Sequence, residues 1–397
     1  MRTKISLRLG LPLFVLTGAL IWFLPMLRET LETTVPQPIA ATPQRMEVVF
    51  VLDTTGSMGG LIAAAKEKIF AIAHTMTQAD PAPEIAIGLV AYRDRGDDYV
   101  TRVTDLSTDI DTVYSTLLDY HAAGGGDAPE SVNAALYDAV HAISWSEDPS
   151  AYRVIFLVGD SPPHMDYDNE PQYPETARLA AERGIVINAI LCGDNAQTES
   201  RWREIADLAQ GRYFTVGQQG DAVAIDTPYD RRIAELSAGL DDTRLYYGSP
   251  DVLVLANRKV AAADKLNREA SAASRARRAA FNLTTSGAKS HYGDGELVED
   301  VADGSVSLAD IAEPELPAVM RPMDAGERAA YLKSQTEQRG RLNRELRELV
   351  AKRTAFVAAR AKAREGIEAS LDHRIFDAVR EQAGAKGFRY TDAAPAL

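Results

Sequence analysis

Thiols are almost absent: the 397 residues include one cysteine, Cys192. A single thiol closes no intramolecular disulfide and excludes a zinc ribbon or a dithiol redox pair. On an apolar strand it acts as a small hydrophobe. Basic residues are also in short supply, with 43 Lys and Arg against 57 Asp and Glu, a formal charge of −14. Phosphate neutralisation needs a basic face, so no nucleic-acid partner is expected. The sequence has no Ser-His-Asp arrangement, P-loop or dinucleotide fingerprint, and the run Gly124–Gly126 has no lysine to make a phosphate cradle. What is present is 46% hydrophobic residues, too many for a disordered chain, in a length too great for one ordinary domain.

The shortage of basic residues is local. Residues 1–250 hold 19 Lys and Arg against 35 Asp and Glu, whereas residues 251–397 hold 24 against 22. The acidity belongs to one region, and an acidic region suits a bound cation.

Arg2, Lys4 and Arg8 precede an uncharged run from Leu9 to Leu27, nineteen positions that as a helix reach about 29 Å, the hydrocarbon thickness of a bilayer. Cleavage-site residues do not follow closely: Ala19 lies within the run, and Ala40-Ala41 lie beyond Arg28, Glu29 and Glu32. Residues 1–32 are therefore expected to be an uncleaved signal anchor, an N-terminal transmembrane helix. The basic flank places the bulk of a single-pass protein on the periplasmic side of the cell inner membrane. The alternative is a cleaved signal and release into the periplasm. No cysteine follows the run, which excludes a lipoprotein anchor, and residues 33–45, with Pro36, Pro38 and Pro43, read as an extended tether.

From residue 46 to 247, apolar strands alternate with helical patterns. Strings such as VVFVL, VIFLV and IVINAIL read as strands covered on both faces. The expected fold is α/β, a doubly wound, mostly parallel, Rossmann-like sheet with its site at the carboxyl ends of the strands. Residues 248–397 read as an α-helical C-terminal region, interrupted by an irregular Gly-, Asp- and Pro-rich segment at 285–325. Between Ala325 and Glu381 there is no proline. Leu332, Leu342, Leu346, Leu349, Phe356 and Ile367 are spaced by threes and fours, with Arg353 and Arg360 on the same stripe. That pattern fits a coiled coil making a homo-oligomer, or equally a long helix packed on the α/β domain.

The chemistry is concentrated at three predicted strand ends. Asp53-Thr54-Thr55-Gly56-Ser57 offers a carboxylate and two hydroxyls from alternate positions of one turn, all oxygen ligands suited to Mg²⁺, Mn²⁺ or Ca²⁺. Helix capping alone produces similar strings. Gly124-Gly125-Gly126-Asp127-Ala128-Pro129-Glu130 and Val158-Gly159-Asp160-Ser161-Pro162-Pro163-His164 each bring a further acid. In a doubly wound sheet the three loops converge on one crevice, where grouped carboxylates repel unless a cation neutralises them. His164 reads best as a surface or supporting residue. Arg93–Asp98 reads equally as a recognition loop or a solvated charge run. Trp145, Trp202 and Tyr246-Tyr247 read as packing residues.

Asp53-Thr54-Thr55-Gly56-Ser57 resembles the first segment of the metal-ion-dependent adhesion site of von Willebrand factor type A domains, and Asp160 matches the acid of that family's last metal loop. The resemblance covers roughly residues 46–245. It implies that Thr55 and Ser57 bind Mg²⁺ directly, that Asp53 and Asp160 act directly or through water, and that a partner's acidic group completes the octahedron. Where many members carry a threonine, this chain offers Asp127, and the strings GGGD-x-PE and D-x-PPH resemble a bacterial and protist subgroup. The expected metal ligands are thus Asp53, Thr55, Ser57, Asp127 and Asp160. With three carboxylates about one divalent ion, tighter resting metal binding and a partner that need not be acidic are expected. The main expectation is a membrane-tethered, divalent-metal-dependent, non-catalytic protein-binding module for an unidentified protein ligand. Two alternatives are a scaffold acting through the C-terminal helix and a phosphoryl-transfer enzyme using Asp53. The second is weakened because Thr54 stands where the D-K-T-G-T string of such ATPases has lysine.

Overall fold

The strand Arg45–Asp53 (β1) is buried from Met46 to its end, and its alternation explains why. Met46, Val48, Phe50 and Leu52 point into one apolar layer and Val49 and Val51 into another, so both faces of the sheet are covered. In the computed structural model, which describes residues 44–126, 128–218, 225–362 and 371–390, β1 lies near the middle of a six-stranded sheet.

After β1 come helix α1 (Gly59–Met76), a short strand β2 (Ala79–Asp80), β3 (Glu84–Tyr92), β4 (Thr101–Ser107), α2 (Ile110–Asp119), α3 (Val132–His141), β5 (Tyr152–Gly159), α4 (Tyr173–Glu182), β6 (Ile185–Cys192), α5 (Ala196–Leu208) and β7 (Tyr213–Val216). The sheet order is β4-β3-β1-β5-β6-β7, and every pairing is parallel except β3 with β4. β4 ends the sheet with Arg102 and Asp105 exposed and a register shift opposite Ile87/Leu89, features that keep an edge strand from recruiting another chain.

The helices that follow two neighbouring strands take opposite faces. Residues Leu61, Ile69 and Phe70 of α1 belong to the layer containing Phe50, and Tyr173, Ala177 and Ala180 of α4 to the layer containing Val49. β1 and β5 are adjacent, with Leu52 opposite Val158. The chain therefore diverges at their carboxyl ends and leaves a crevice between Asp53 and Asp160.

Beyond the sheet come α6 (Asp230–Asp241), α7 (Pro250–Glu269), α8 (Ala272–Asn282), α9 (Thr285–Tyr292), α10 (Leu297–Ala302), α11 (Ala325–Lys362), α12 (Leu371–Gly384) and β8 (Arg389–Tyr390). The segment 285–325, expected to be irregular, contains α9 and α10. Each is too short to show a periodicity and each starts on a side-chain cap, the Thr284 hydroxyl accepting from Gly287 N and the Glu296 carboxylate from Glu299 N.

The stripe of α11 faces its own chain. Leu332, Arg339, Leu346 and Arg353, seven residues apart, are all buried. Leu346 packs with Ile233, Leu236 and Leu240 of α6, and Leu332 with Leu245 and Leu297. Arg339 donates to Glu296 at 2.8 and 3.0 Å and Arg353 to Asp230 at 2.7 Å. Of the two readings of this stripe, the structure has the helix packed on the body.

Residues 371–390, which the sequence groups with the C-terminal region, enter the α/β core itself. Ile375, Val379 and Phe388 share a layer with Phe50, Ile69 and Phe156. Gln382 exchanges hydrogen bonds with Asn188 of β6 (2.8 and 3.0 Å) and accepts from the Tyr152 hydroxyl (2.8 Å), and β8 pairs with β2. All described residues belong to one compact unit. The apolar run at 9–27 and residues 33–43 of the expected tether lie outside the described residues, whereas Arg45, expected to end the tether, opens β1; no helix among those described is long and apolar enough to cross a membrane.

Candidate functional site

Asp53 ends β1 with its side chain buried against β5. Its Oδ1 accepts from the Thr55 backbone N–H (2.8 Å) and the Thr55 hydroxyl (2.6 Å), while Oδ2 is buried with no hydrogen-bond partner. The Ser57 hydroxyl is exposed, 3.5 Å from that of Thr55. Thr54 turns inward and is not part of the donor set: its hydroxyl donates to Tyr92 O (2.8 Å) and meets Tyr99 OH (2.7 Å).

The second loop is laced to the first. Gly56 N donates to Gly124 O (3.1 Å) and Ala123 N to Thr54 O (3.1 Å). Gly125 has φ +80°, and a Cβ there would lie 3.0 Å from Thr55 Cβ and 3.1 Å from Glu130 Oε1, so only glycine fits between them. Asp127 lies outside the described residues. Asp160, at the end of β5, accepts from Ser161 Oγ (3.1 Å) and from the Gln218 amide (2.8 Å). Thr55, Ser57 and Asp160 thus line one cavity of about 400 Å³, and Asp53 is buried beside it, hydrogen-bonded to Thr55 and within reach of the Asp160 charge.

Glu130 is the residue that the sequence reading passed over, although it lies inside the GGGD-x-PE string. It lines the cavity, is 3% exposed, and its Oε2 is buried without a partner. Burial pushes its carboxyl up to about 9, with the negative charges of Asp53, Asp94, Asp97 and Asp160 adding to the shift. Burial likewise pushes Asp53 up to about 7, against the two Thr55 hydrogen bonds and with the Asp160 charge adding. Among the described residues no Lys, Arg or His lines the cavity, and between Arg102 and Arg153 the chain has no Lys or Arg at all.

Arg93, a buried cation directly after β3, is committed elsewhere. It donates to Thr54 O (3.2 Å) and His121 O (2.9 Å), clamping the loops after β1 and α2 together. Residues 93–98 are therefore partly internal scaffolding, and Asp97 accepts from Gly125 N at 3.0 Å. His164 is buried and does not line the cavity, with Nδ1 2.8 Å from Asp166 Oδ1, Nε2 3.4 Å from Asp94 Oδ2 and its ring stacked on Tyr167. Asp94 also accepts from Ser131 Oγ at 2.9 Å.

A divalent cation fits this arrangement. The donors are carboxylate and hydroxyl oxygens, and two buried carboxylate oxygens have no protein partner. The hydroxyls of Thr55 and Ser57 would hold the ion with Asp53 and Asp160, and the ion would supply the positive charge the cavity lacks. Among the described residues, which leave out Asp127, no three His, Cys, Asp or Glu side chains cluster as metal ligands, and the Thr55 and Ser57 hydroxyls are the further oxygens at hand.

Residues 47–227 match the family model described as von Willebrand factor A domain. This segment is a von Willebrand factor A domain. The chain is 36% identical over 191 residues to von Willebrand factor A domain-containing protein 7 of Rattus norvegicus, a match covering 48% of this chain and 20% of that protein. This chain thus spans about a fifth of the length of the curated relatives it matches. Among solved structures it is similar to BatB from Bacteroides thetaiotaomicron (18% identity, 43% of this chain and 90% of that one, TM-score 0.34). It is also similar to proximal thread matrix protein 1 of the mussel byssus (17% identity, 44% of this chain and 42% of that one, TM-score 0.34), a structure described as having a zinc-occupied MIDAS motif. In this von Willebrand factor A domain, Cys192 forms part of the cavity wall, and Trp202 is fully buried in the core.

Proposed function

We propose that the von Willebrand factor A domain of this chain is a divalent-cation-dependent protein-binding module of the bacterial membrane-anchored type. The observation that carries the reading is the buried Oδ2 of Asp53, without a hydrogen-bond partner and within reach of the Asp160 charge, beside a cavity that Thr55, Ser57 and Asp160 line and that no basic side chain among the described residues lines. Thr55 and Ser57 hold the cation directly, and Asp53, Asp127 and Asp160 hold it directly or through water. Mg²⁺ is the expected ion, with Mn²⁺ and Ca²⁺ as competitors. An ion among three aspartates leaves the site with a formal negative charge, so the protein partner presents a group that need not be acidic. The apolar run 9–27 tethers the module to the inner membrane with its bulk facing the periplasm, and the module binds without catalysing a reaction.

The test is calorimetric titration of the purified chain with MgCl₂, MnCl₂ and CaCl₂, beside Asp53→Ala and Asp160→Ala. It is followed by crosslinking and recovery of partners from membranes with wild type and Asp53→Ala, each with and without chelator. Saturable cation binding lost in both variants, with partners lost on chelation, is the expected result. A wild-type chain that binds no divalent ion defeats the reading.

A further inference from the structure

Two adjacent arginines of α8 are buried, and only one of them is fully met. Arg278 directs Nε and both Nη groups to Asp111, Asp241 and Ser237. Arg277, 2% exposed, is held through Nη1 alone, which donates to Glu67 O (3.1 Å) and Glu67 Oε2 (3.0 Å) of α1. Its Nε and Nη2 are buried with no acceptor. These two nitrogens share one edge of the planar guanidinium, the edge that grips an oxyanion by two parallel hydrogen bonds. Among the described residues no other buried guanidinium leaves two nitrogens without an acceptor.

A second guanidinium acts on the first. Arg353 of α11 donates through Nε to Asp230 (2.7 Å), and its Nη2 is buried without an acceptor. Burial holds the Arg277 guanidinium below its ordinary value, and the Arg353 charge adds to that shift against the charges of Glu67 and Asp230. His74 lies seven residues after Glu67 on α1, two turns along the same face. Burial lowers its value too, the Arg353 charge lowers it further, and its Nδ1 is buried without a partner. The acids at this junction are already occupied. Asp230 accepts from Thr227 N (2.8 Å) and Thr227 Oγ1 (2.9 Å) as well as Arg353. Glu67 is partly exposed, and its Oε2 accepts from the hydroxyls of Ser271 (3.0 Å) and Ser274 (2.9 Å) beside Arg277. Charged N–H groups therefore outnumber the acceptors around them, and leaving such groups buried and unmet is strongly unfavourable.

We propose that the junction of α1, α8 and α11 is an anion site, which takes a small inorganic oxyanion of the phosphate or sulfate class on the Nε/Nη2 edge of Arg277, with Arg353 Nη2 and His74 Nδ1 as neighbouring donors. Both guanidiniums are buried, so the ligand is a free ion rather than a phosphate carried on a larger molecule. Bound there, it ties two helices of the C-terminal region to α1 of the α/β domain. None of these residues lines the cavity at Asp160, so the proposal is independent of the cation site.

The experiment is equilibrium dialysis of the full chain against radiolabelled phosphate, with sulfate as competitor and chloride holding the ionic strength constant, beside thermal unfolding over the same phosphate range. Excess chelator throughout keeps phosphate from following a divalent ion. Wild type is expected to bind a single phosphate per chain, displaced by sulfate, with an unfolding temperature that rises and saturates over the same range. Arg277→Lys keeps the charge but loses the two-nitrogen edge, and is expected to bind about 10-fold more weakly or worse. Glu67→Gln removes a competing negative charge from Arg277 and is expected to bind more tightly than wild type. A wild type without saturable phosphate binding overturns the proposal, as does a stabilisation that rises without saturating and is equal in every variant, the mark of salt exclusion from the surface. Equal affinity in wild type and Arg277→Lys places the ion elsewhere and also overturns it. If Arg277→Lys does not fold, Glu67→Gln decides, and an affinity no higher than that of wild type overturns the proposal.

Discussion

Asp53 and Asp241 are both buried aspartates, and their surroundings drive their carboxyls in opposite directions. Asp241, at the end of α6, would be pushed up by burial, but Arg278 of α8 overrides this with its charge and two hydrogen bonds of 2.9 and 2.8 Å, holding the carboxyl well below the usual range. Arg278 also grips Asp111 of α2, which it keeps below the ordinary value against the same burial. Asp53 has two hydrogen bonds from Thr55 and no cation, and burial prevails. The helical layer contains its own counter-charges, as the pairs Arg339–Glu296 and Arg353–Asp230 repeat. The crevice between β1 and β5 does not. One region uses buried acids to join helices, and the other leaves buried acids in want of a positive charge from outside.

The contrast can be broken hardest at Arg278. Arg278→Ala strands Asp111 and Asp241 in the interior and is expected to cost about 3–5 kcal/mol of stability, read by chemical denaturation. Divalent-cation affinity should stay at the wild-type value wherever the chain remains folded. At the opposite site the order reverses: Asp53→Asn is expected to lower cation affinity by about 100-fold or more, a loss of about 2.7 kcal/mol, with no loss of stability in chelator. A fall in stability there comparable to that of Arg278→Ala would show that Asp53 is structural.

The two regions should also separate by pH. Asp53 and Glu130 have folded values of about 7 and about 9, above the value near 4 of an unfolded carboxyl, so the metal-free fold keeps protons that the unfolded chain releases. Their contribution therefore worsens as pH rises from about 4 through these values. Asp111 and Asp241 work the other way: their stabilisation is complete above about 4 and is lost only as pH falls through their depressed folded values. Unfolding temperatures in chelator should fall between pH 5 and pH 9, and saturating divalent cation should flatten that fall. The smallest effect is expected at Gly125→Ala, about 1–2 kcal/mol from a left-handed backbone, with an added loss of cation affinity as the Thr55–Glu130 gap closes.

The parts of this contrast that were legible in the sequence are the contiguous ones. VVFVL announces a strand covered on both faces, and D-x-T-x-S places its donors within one turn, so Asp53, Thr55 and Ser57 could be named, and Asp160 by the strand end it follows. Glu130 could not be singled out, because its meaning comes from a backbone bridge to Pro163 and from the absence of a partner, neither of which leaves a local pattern. Arg278 stands in an Ala- and Arg-rich helix that looks solvated. Its partners are 37 and 167 residues away in sequence. The heptad spacing of α11 was visible, but whether it faced a second chain or its own body depended on α6 and α10 lying beneath it.

The placement of Ile375, Val379 and Phe388 in the core of the sheet has a consequence for how the protein is made. A ribosome completes β1 more than 300 residues before it supplies the helix and strand that help cover Phe50, Leu52 and Ile69. Until then part of the apolar layer of the α/β domain lacks its cover. The loops around Asp53 are synthesised early and the six strands are complete at Val216, yet the apolar layer over β1 is closed only when Phe388 has emerged.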